Sequence, residues 1–202
     1  MCDIQWLEGT VGFLSGAAVA VFAEPVRQWL FRPHIELSFR ANDPRYVART
    51  PVLANFPDGT SVEGKAIYFR VMVKNSWGEL ARSCRGYLVK AERWNQATQA
   101  FEAASFYDPV RLAWSSCGEH AYDAIDLPKG LHHFLDVVST RQSNVAFQLE
   151  TQFKPIREAG LGREPGDYRL TVMVGGDNFR PKTIHLSVHW TGTWDKIEVG
   201  AA

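Results

Sequence analysis

Beyond Pro33 the chain alternates between apolar and polar positions. Ile35, Leu37 and Phe39 alternate with Glu36, Ser38 and Arg40, and Phe69, Val71 and Val73 with Arg70, Met72 and Lys74. Val145, Phe147 and Leu149 alternate with Ala146, Gln148 and Glu150. Tyr168, Leu170, Val172 and Val174 alternate with Arg169, Thr171 and Met173, and Ile184, Leu186, Val188 and Trp190 with His185, Ser187 and His189. A period of two puts one face of a strand in a core and the other in water, as antiparallel sheets do. Less regular segments at 87–94, 110–114 and 131–138 complete the set, the first followed by a polar turn over 95–99 back toward Phe101. Turn chemistry separates them: Pro57-Asp58-Gly59, the stretch 75–78, Pro128-Lys129-Gly130, Pro165-Gly166-Asp167 and Gly175-Gly176-Asp177-Asn178. Roughly seven to nine short strands without alternating helices predict a mainly β fold, an antiparallel two-sheet sandwich. Residues 154–166 read as an exposed loop inside that domain.

Before Pro33 the pattern is different. Residues 10–23 carry no charge and are rich in Ala, Val, Gly and Phe. As a helix they reach ~21 Å, short of a ~30 Å hydrocarbon core, and extension to Phe31 gives ~33 Å. The extension includes Glu24, Arg27 and Gln28 near one end, where Arg27 can snorkel and Trp29 suits the interface; Trp6 stands at the other end. Gly12 and Gly16 have the small-xxx-small spacing of close helix contacts. The first reading is a single-pass anchor over 1–32, with Trp6, Phe13, Leu14, Val21, Phe22, Arg27 and Trp29 as its membrane-facing residues. A cleaved signal peptide, an interfacial helix and a buried amphipathic helix are the alternatives. The signal peptide lacks a basic n-region, and the interfacial helix lacks cations on its polar face.

Net charge refines the placement. The 202 residues hold 22 basic and 22 acidic side chains, a total of zero. Asp3, Glu8 and Glu24 stand alone over residues 1–26, whereas Arg27, Arg32, Arg40, Arg45 and Arg49 outweigh Glu36 and Asp43 over 27–49. If the segment spans, the positive-inside rule leaves the acidic N-terminus outside and the bulk of the chain on the cytoplasmic side. A soluble cytoplasmic chain, or one exported after signal cleavage, are the other locations. The neutral total is no footprint for nucleic acid.

A stretch of the body resembles a known family. Val71-x-Val73-x-Asn75-x-x-Gly78-x-x-Ala81-x-x-Cys84-x-x-x-Leu88 resembles the strand–turn–strand of immunoglobulin-like modules of the CARDB kind. Ile125-Asp126-Leu127-Pro128-Lys129-Gly130 resembles their turn before a returning strand, and Gly166-x-Tyr168-x-Leu170-x-Val172 their penultimate strand. The match covers about half of the body, and the insert over 94–117 departs from it. The layout also resembles small membrane-anchored bacterial proteins of unknown function. The resemblance implies an immunoglobulin-like antiparallel β-sandwich over 33–202 and no activity.

The chemistry-bearing residues form no known catalytic pattern. Cys2, Cys84 and Cys117 are too few for a disulfide scaffold and include no CxxC, although a Cys84–Cys117 bridge is arithmetically open. His185 and His189 share a strand face ~13 Å apart, too far for one metal ion, and His132 and His133 point to opposite faces. Cys117 and His120 could form a nucleophile pair in a glycine-flanked loop, without an oxyanion-forming pattern beside them. Asp123, Asp126 and Asp136 around Pro128 suit turn formation better than calcium. There is no P-loop, GxGxxG, HExxH or GxSxG.

These observations lead to the expectation of a non-enzymatic, membrane-tethered protein-interaction or sensing module with no cofactor. Its contact surface would comprise Trp77, placed in a turn, Trp94 and the insert over 95–117. An alternative is a small-ligand receptor or effector with a pocket lined by Trp114, Tyr122 and His132. A third is a hydrolase using Cys117 and His120.

Overall fold

The computed structural model of the chain describes residues 30–55, 61–103, 109–153 and 161–202. In chain order the strands are β1 His34–Ser38, β2 Val47–Asn55, β3 Ser61–Trp77, β4 Ala81–Asn95, β5 Ala100–Ala103, β6 Val110–Arg111 and β7 Ala113–Trp114. After a short 3₁₀ turn, Gly118–His120, come β8 Ile125–Leu127, β9 His132–Arg141, β10 Gln148–Leu149, β11 Gly166–Gly175, β12 Lys182–Trp190 and β13 Ile197–Ala201. They form two antiparallel sheets. One runs β1-β3-β9-β10, with β2 also on β3 and β7 also on β9; the other runs β13-β12-β11-β4-β5, with β6 and β8 also on β4.

The alternating positions explain the two layers. Val71 and Val73 of β3 and Leu135 of β9 are fully buried, as are Leu88 and Ala91 of β4 and Leu170, Val172 and Val174 of β11. They belong to one continuous core shared by both sheets. The layers are in close contact at Gly86 of β4, over which Leu135 of β9 is seated. The chain changes layers at Leu112: β6 pairs with β4, β7 pairs with β9, and the Leu112 amide donates to the Gly86 carbonyl between them. Burial of apolar side chains from both inner faces is what holds such a two-layer arrangement.

The register gives the sandwich two distinct ends. Lys74 pairs with His132 and Ala66 with Arg141, so Trp77 and the turn before β9 share one end. Tyr168 pairs with Arg93 and Gly175 with Arg85, so Trp94 and the start of β11 lie at the other. From Ala81 to Trp94 along β4 the distance is about 40 Å at the usual rise per strand residue. Trp77 and Trp94 therefore cannot belong to one contact surface.

The structure departs from the sequence expectation in several places. Trp77 ends β3 and pairs with His34 rather than sitting in a turn; the turn begins at Gly78, whose φ is +94°. Strands β2 and β13 were not expected, and the expected strand over 145–149 shrinks to two residues, with Val145 84 % exposed. No helix of the described residues is long and apolar enough to cross a membrane. The expected anchor residues Trp6, Phe13, Leu14, Val21, Phe22, Arg27 and Trp29 lie outside the described residues.

Candidate binding cleft

At the Trp94 end the sheets part to leave an open cleft of roughly 910 Å³. Its apolar walls come from Ile67 and Phe69 of β3 on one side and Tyr168, Val188 and Val199 of the other sheet. Trp94 of β4 and Phe101 of β5 line it as a hairpin pair, edge to face with centroids 5.2 Å apart. The polar turn over 96–99 closes that hairpin, with the Ala97 amide donating to Asn95 Oδ1 and Gln99 at a positive φ. Arg169 stacks its guanidinium on Phe101, 4.1 Å from the ring centre. This is the cation–π geometry, and it leaves the aromatic pair already serving one cation.

The polar rim is mainly acidic. Asp167, Asp195 and Glu198 line the cleft with Arg49 and His189, and Arg169 adds its guanidinium over Phe101. Asp167 and His189 are cross-strand partners on β11 and β12, with Nδ1 of the ring 2.7 Å from the carboxylate. His185 similarly meets Thr171, 3.1 Å away, so both histidines of β12 have neighbours on the exposed face. An apolar floor, an aromatic lip and a few convergent charges are the ingredients of a ligand site.

The residues expected to line the other pocket lie apart from this cleft. Trp114 is 1 % exposed, and its ring N–H donates to the Asp123 carbonyl. The Tyr122 hydroxyl donates to the Thr151 carbonyl, and exposed His132 meets Phe134 edge to face. None of the three lines the cleft or the two smaller hollows at Trp194 and at Phe147. A tryptophan buried against β9 has no face left for a ligand.

Cys117 is not paired with His120. Nδ1 of His120 meets Asp123 at 2.8 Å on the surface, while Cys117 Sγ lies 3.5 Å from Nε2 of His133. The Phe134 amide donates to Nδ1 of His133, so the neutral ring carries its proton on Nε2, facing the sulfur. The ring thus offers the thiol a hydrogen, not a lone pair, whereas activation by a base needs the lone pair. Burial lowers the His133 pKa, which keeps the ring neutral. His133 also stacks on Trp114, with centroids 5.6 Å apart. Cys84 and Cys117 are both free thiols, the first buried.

The three aspartates around Pro128 serve separate turns and bonds. Asp126 accepts the Ser83 amide at a residue with φ +53°. Asp136 accepts from Arg70 Nε at 2.9 Å and from the Ser115 hydroxyl at 2.5 Å. Burial raises its pKa, and these two donors oppose the rise. No cluster of three or more His, Cys, Asp or Glu side chains suited to a metal ion occurs among the described residues.

Sequence reasoning found Trp94 but missed Arg49, Asp167, His189, Asp195 and Glu198 as its companions. Alternation assigns each residue to a face, but it does not say which strands are neighbours. The cleft joins β2, β5, β11 and β13, which are far apart along the chain.

The fold and cleft define a two-sheet antiparallel β protein with one aromatic, acid-rimmed cleft at one end. No protein-family model, curated protein or solved structure matches the chain.

Proposed function

We propose that the chain is a non-enzymatic, membrane-tethered interaction module: an immunoglobulin-like sandwich held by its N-terminal apolar segment and binding a protein partner through the Trp94 cleft. The observation that carries the reading is the cleft itself, with Trp94 and Phe101 at its lip and Asp167, Asp195 and Glu198 on its rim. Aromatic anchors inside a polar border are the usual anatomy of a protein-binding surface. The acidic border favours a partner segment carrying lysine or arginine. Tethering raises the local concentration of the module at the surface where such a partner resides.

The test has two arms. Carbonate washing of membranes leaves a spanning chain in the pellet; release of intact protein removes the tether. A photo-crosslinker at Phe101 in those membranes yields one discrete adduct, which Trp94→Ala and Glu198→Lys both abolish while leaving the domain folded. An adduct insensitive to both substitutions, or none at all, removes the cleft as the contact.

A small-ligand receptor is the second reading, favoured by a cleft volume within the usual range for small-molecule sites. A small molecule that copurifies with the wild type and is lost from Trp94→Ala, with no protein adduct, would select it.

A further inference from the structure

Three separate chain segments place exposed apolar side chains at the end of the sandwich opposite the cleft. Trp77, the last residue of β3, is 50 % exposed, Phe31 is 47 % exposed and Leu131, in the turn before β9, is 56 % exposed. The Phe31 and Trp77 rings are stacked, 6.5 Å between centroids and 20° between planes. Their backbone is fixed. The Glu79 amide donates to the Phe31 carbonyl, and the Ser76 hydroxyl donates to the His34 carbonyl. Gly78 passes so close that a β-carbon there would lie 2.3 Å from the Arg32 carbonyl oxygen. The Leu131 carbonyl accepts the Asn75 amide, which sets it beside the same strand end. The rings are thus held outward by the fold.

We infer that this end is a lipid-contact surface, with Trp77, Phe31 and Leu131 entering the headgroup–acyl boundary of a bilayer. The inference rests on the tether reading above and adds the face that the sandwich turns to the membrane. The reach of the chain chooses lipid as the occupant. The uncharged run ends at Ala23, and the seven residues from there to Leu30 reach at most about 25 Å. Any bilayer entered by that run therefore lies within about 25 Å of this end. The same end carries Arg32, Arg82, Lys129, Arg180 and Lys182 together with Glu79, Glu119, Asp123, Asp126 and Asp177, a mixed-charge border around the exposed aromatics. Interfacial aromatics inside such a border suit the headgroup level of a bilayer. The patch of two rings and a leucine is small for a stable dimer contact.

The test uses the full chain in phosphatidylcholine–phosphatidylglycerol vesicles with brominated acyl chains, which quench tryptophan at the interface. Trp77→Phe lowers the quenchable emission by about a third, the share expected if Trp6, Trp29 and Trp77 all sit at interfacial depth. Two further variants read the orientation without touching Trp77. Leu131→Trp adds quenched emission, whereas Val145→Trp, in the segment that follows the far end of β9, adds emission that is not quenched. If Trp77→Phe and Leu131→Trp leave quenching unchanged while the chain resists carbonate, the tether stands and this surface is wrong. Failure of the chain to stay with the vesicles overturns both. A Trp77-dependent dimer without quenching assigns the patch to self-contact and overturns the lipid.

Discussion

Gly86 lies directly beneath Leu135, one on each sheet, so close that a β-carbon on Gly86 would be 2.4 Å from Leu135 Cδ2 and 2.5 Å from Cδ1. Both residues are buried, and the contact is where the two layers meet. Gly86→Ala should destabilise the fold by about 1–3 kcal/mol, because neither sheet can retreat without opening its core. Leu135→Ala alone should cost about 2–5 kcal/mol through the cavity it leaves. The double variant should cost less than the sum, since the new methyl enters the vacated space. Urea denaturation of the four proteins measures the coupling, and strict additivity would show that the two sheets do not meet at this pair.

Asn75 fastens the Trp77 end from inside. Its side-chain amide donates to the carbonyls of Glu79 and Leu127, 2.8 and 3.0 Å away, and the residue is wholly buried. Its own backbone is bonded to Leu131 and Gly130. One side chain thus joins the turn after β3, the end of β8 and the turn before β9. Asn75→Ala should cost about 2–4 kcal/mol, because a buried and a half-buried carbonyl lose their donor together. Asn75→Asp should be at least as damaging, since a carboxylate has no N–H to give. Thermal melts of both variants check this.

These two residues also mark what was legible. Period two was enough to expect a two-sheet β protein and to place β1, β11 and β12, because apolar alternation is a local signal. It failed at Val145, where the pattern runs on but only Gln148–Leu149 pairs with β9. It also missed β2, whose Ala48, Thr50 and Pro51 carry too little apolar contrast to reveal a strand. Asn75 and Gly78 were visible as turn signals, yet the strand continues to Trp77 because Trp77 still has His34 as a partner. The cleft was illegible as a unit for a different reason. Trp94, Asp167 and Glu198 become neighbours only through sheet order, and nothing in a local pattern encodes that order. The burial of Trp114 was likewise set by the layer change at Leu112, a feature of topology.

Cys84 gives an alkaline signature. Burial, with a smaller contribution from the Asp126 charge, pushes its thiol from 9.0 up to about 11. Below the lower value the thiol is neutral in both folded and unfolded chains and adds no pH dependence. Between the two values the unfolded chain has released its proton while the folded chain keeps it, so stability falls as pH rises. Tyrosines and lysines titrate in the same range, so the informative quantity is the difference from Cys84→Val. That variant should show a shallower loss of stability across the window. Equal slopes would mean that the thiol is not shielded in the folded protein.

Arg70 and Asp136 form a largely buried ion pair, their side chains 22 % and 13 % exposed. Asp136 is short of water and holds its charge with help from Arg70 and Ser115, against a pKa already raised by burial. Removing one partner from such a pair is more damaging than removing both, because the survivor keeps its desolvation cost without its counter-charge. Arg70→Met should therefore cost about 3 kcal/mol near neutral pH. Arg70→Met/Asp136→Leu should recover part of that loss. The sign of the pH response separates this account from simple packing damage. With the folded pKa above the unfolded one, the folded state holds the proton more tightly, so this group favours folding more as pH falls through the carboxylate range. Without Arg70 that pKa rises further, and the stability deficit of Arg70→Met relative to wild type should shrink on acidification. A deficit that stays constant with pH, followed by chemical denaturation, would show that Arg70 contributes through its methylenes alone and that Asp136 does not depend on its charge.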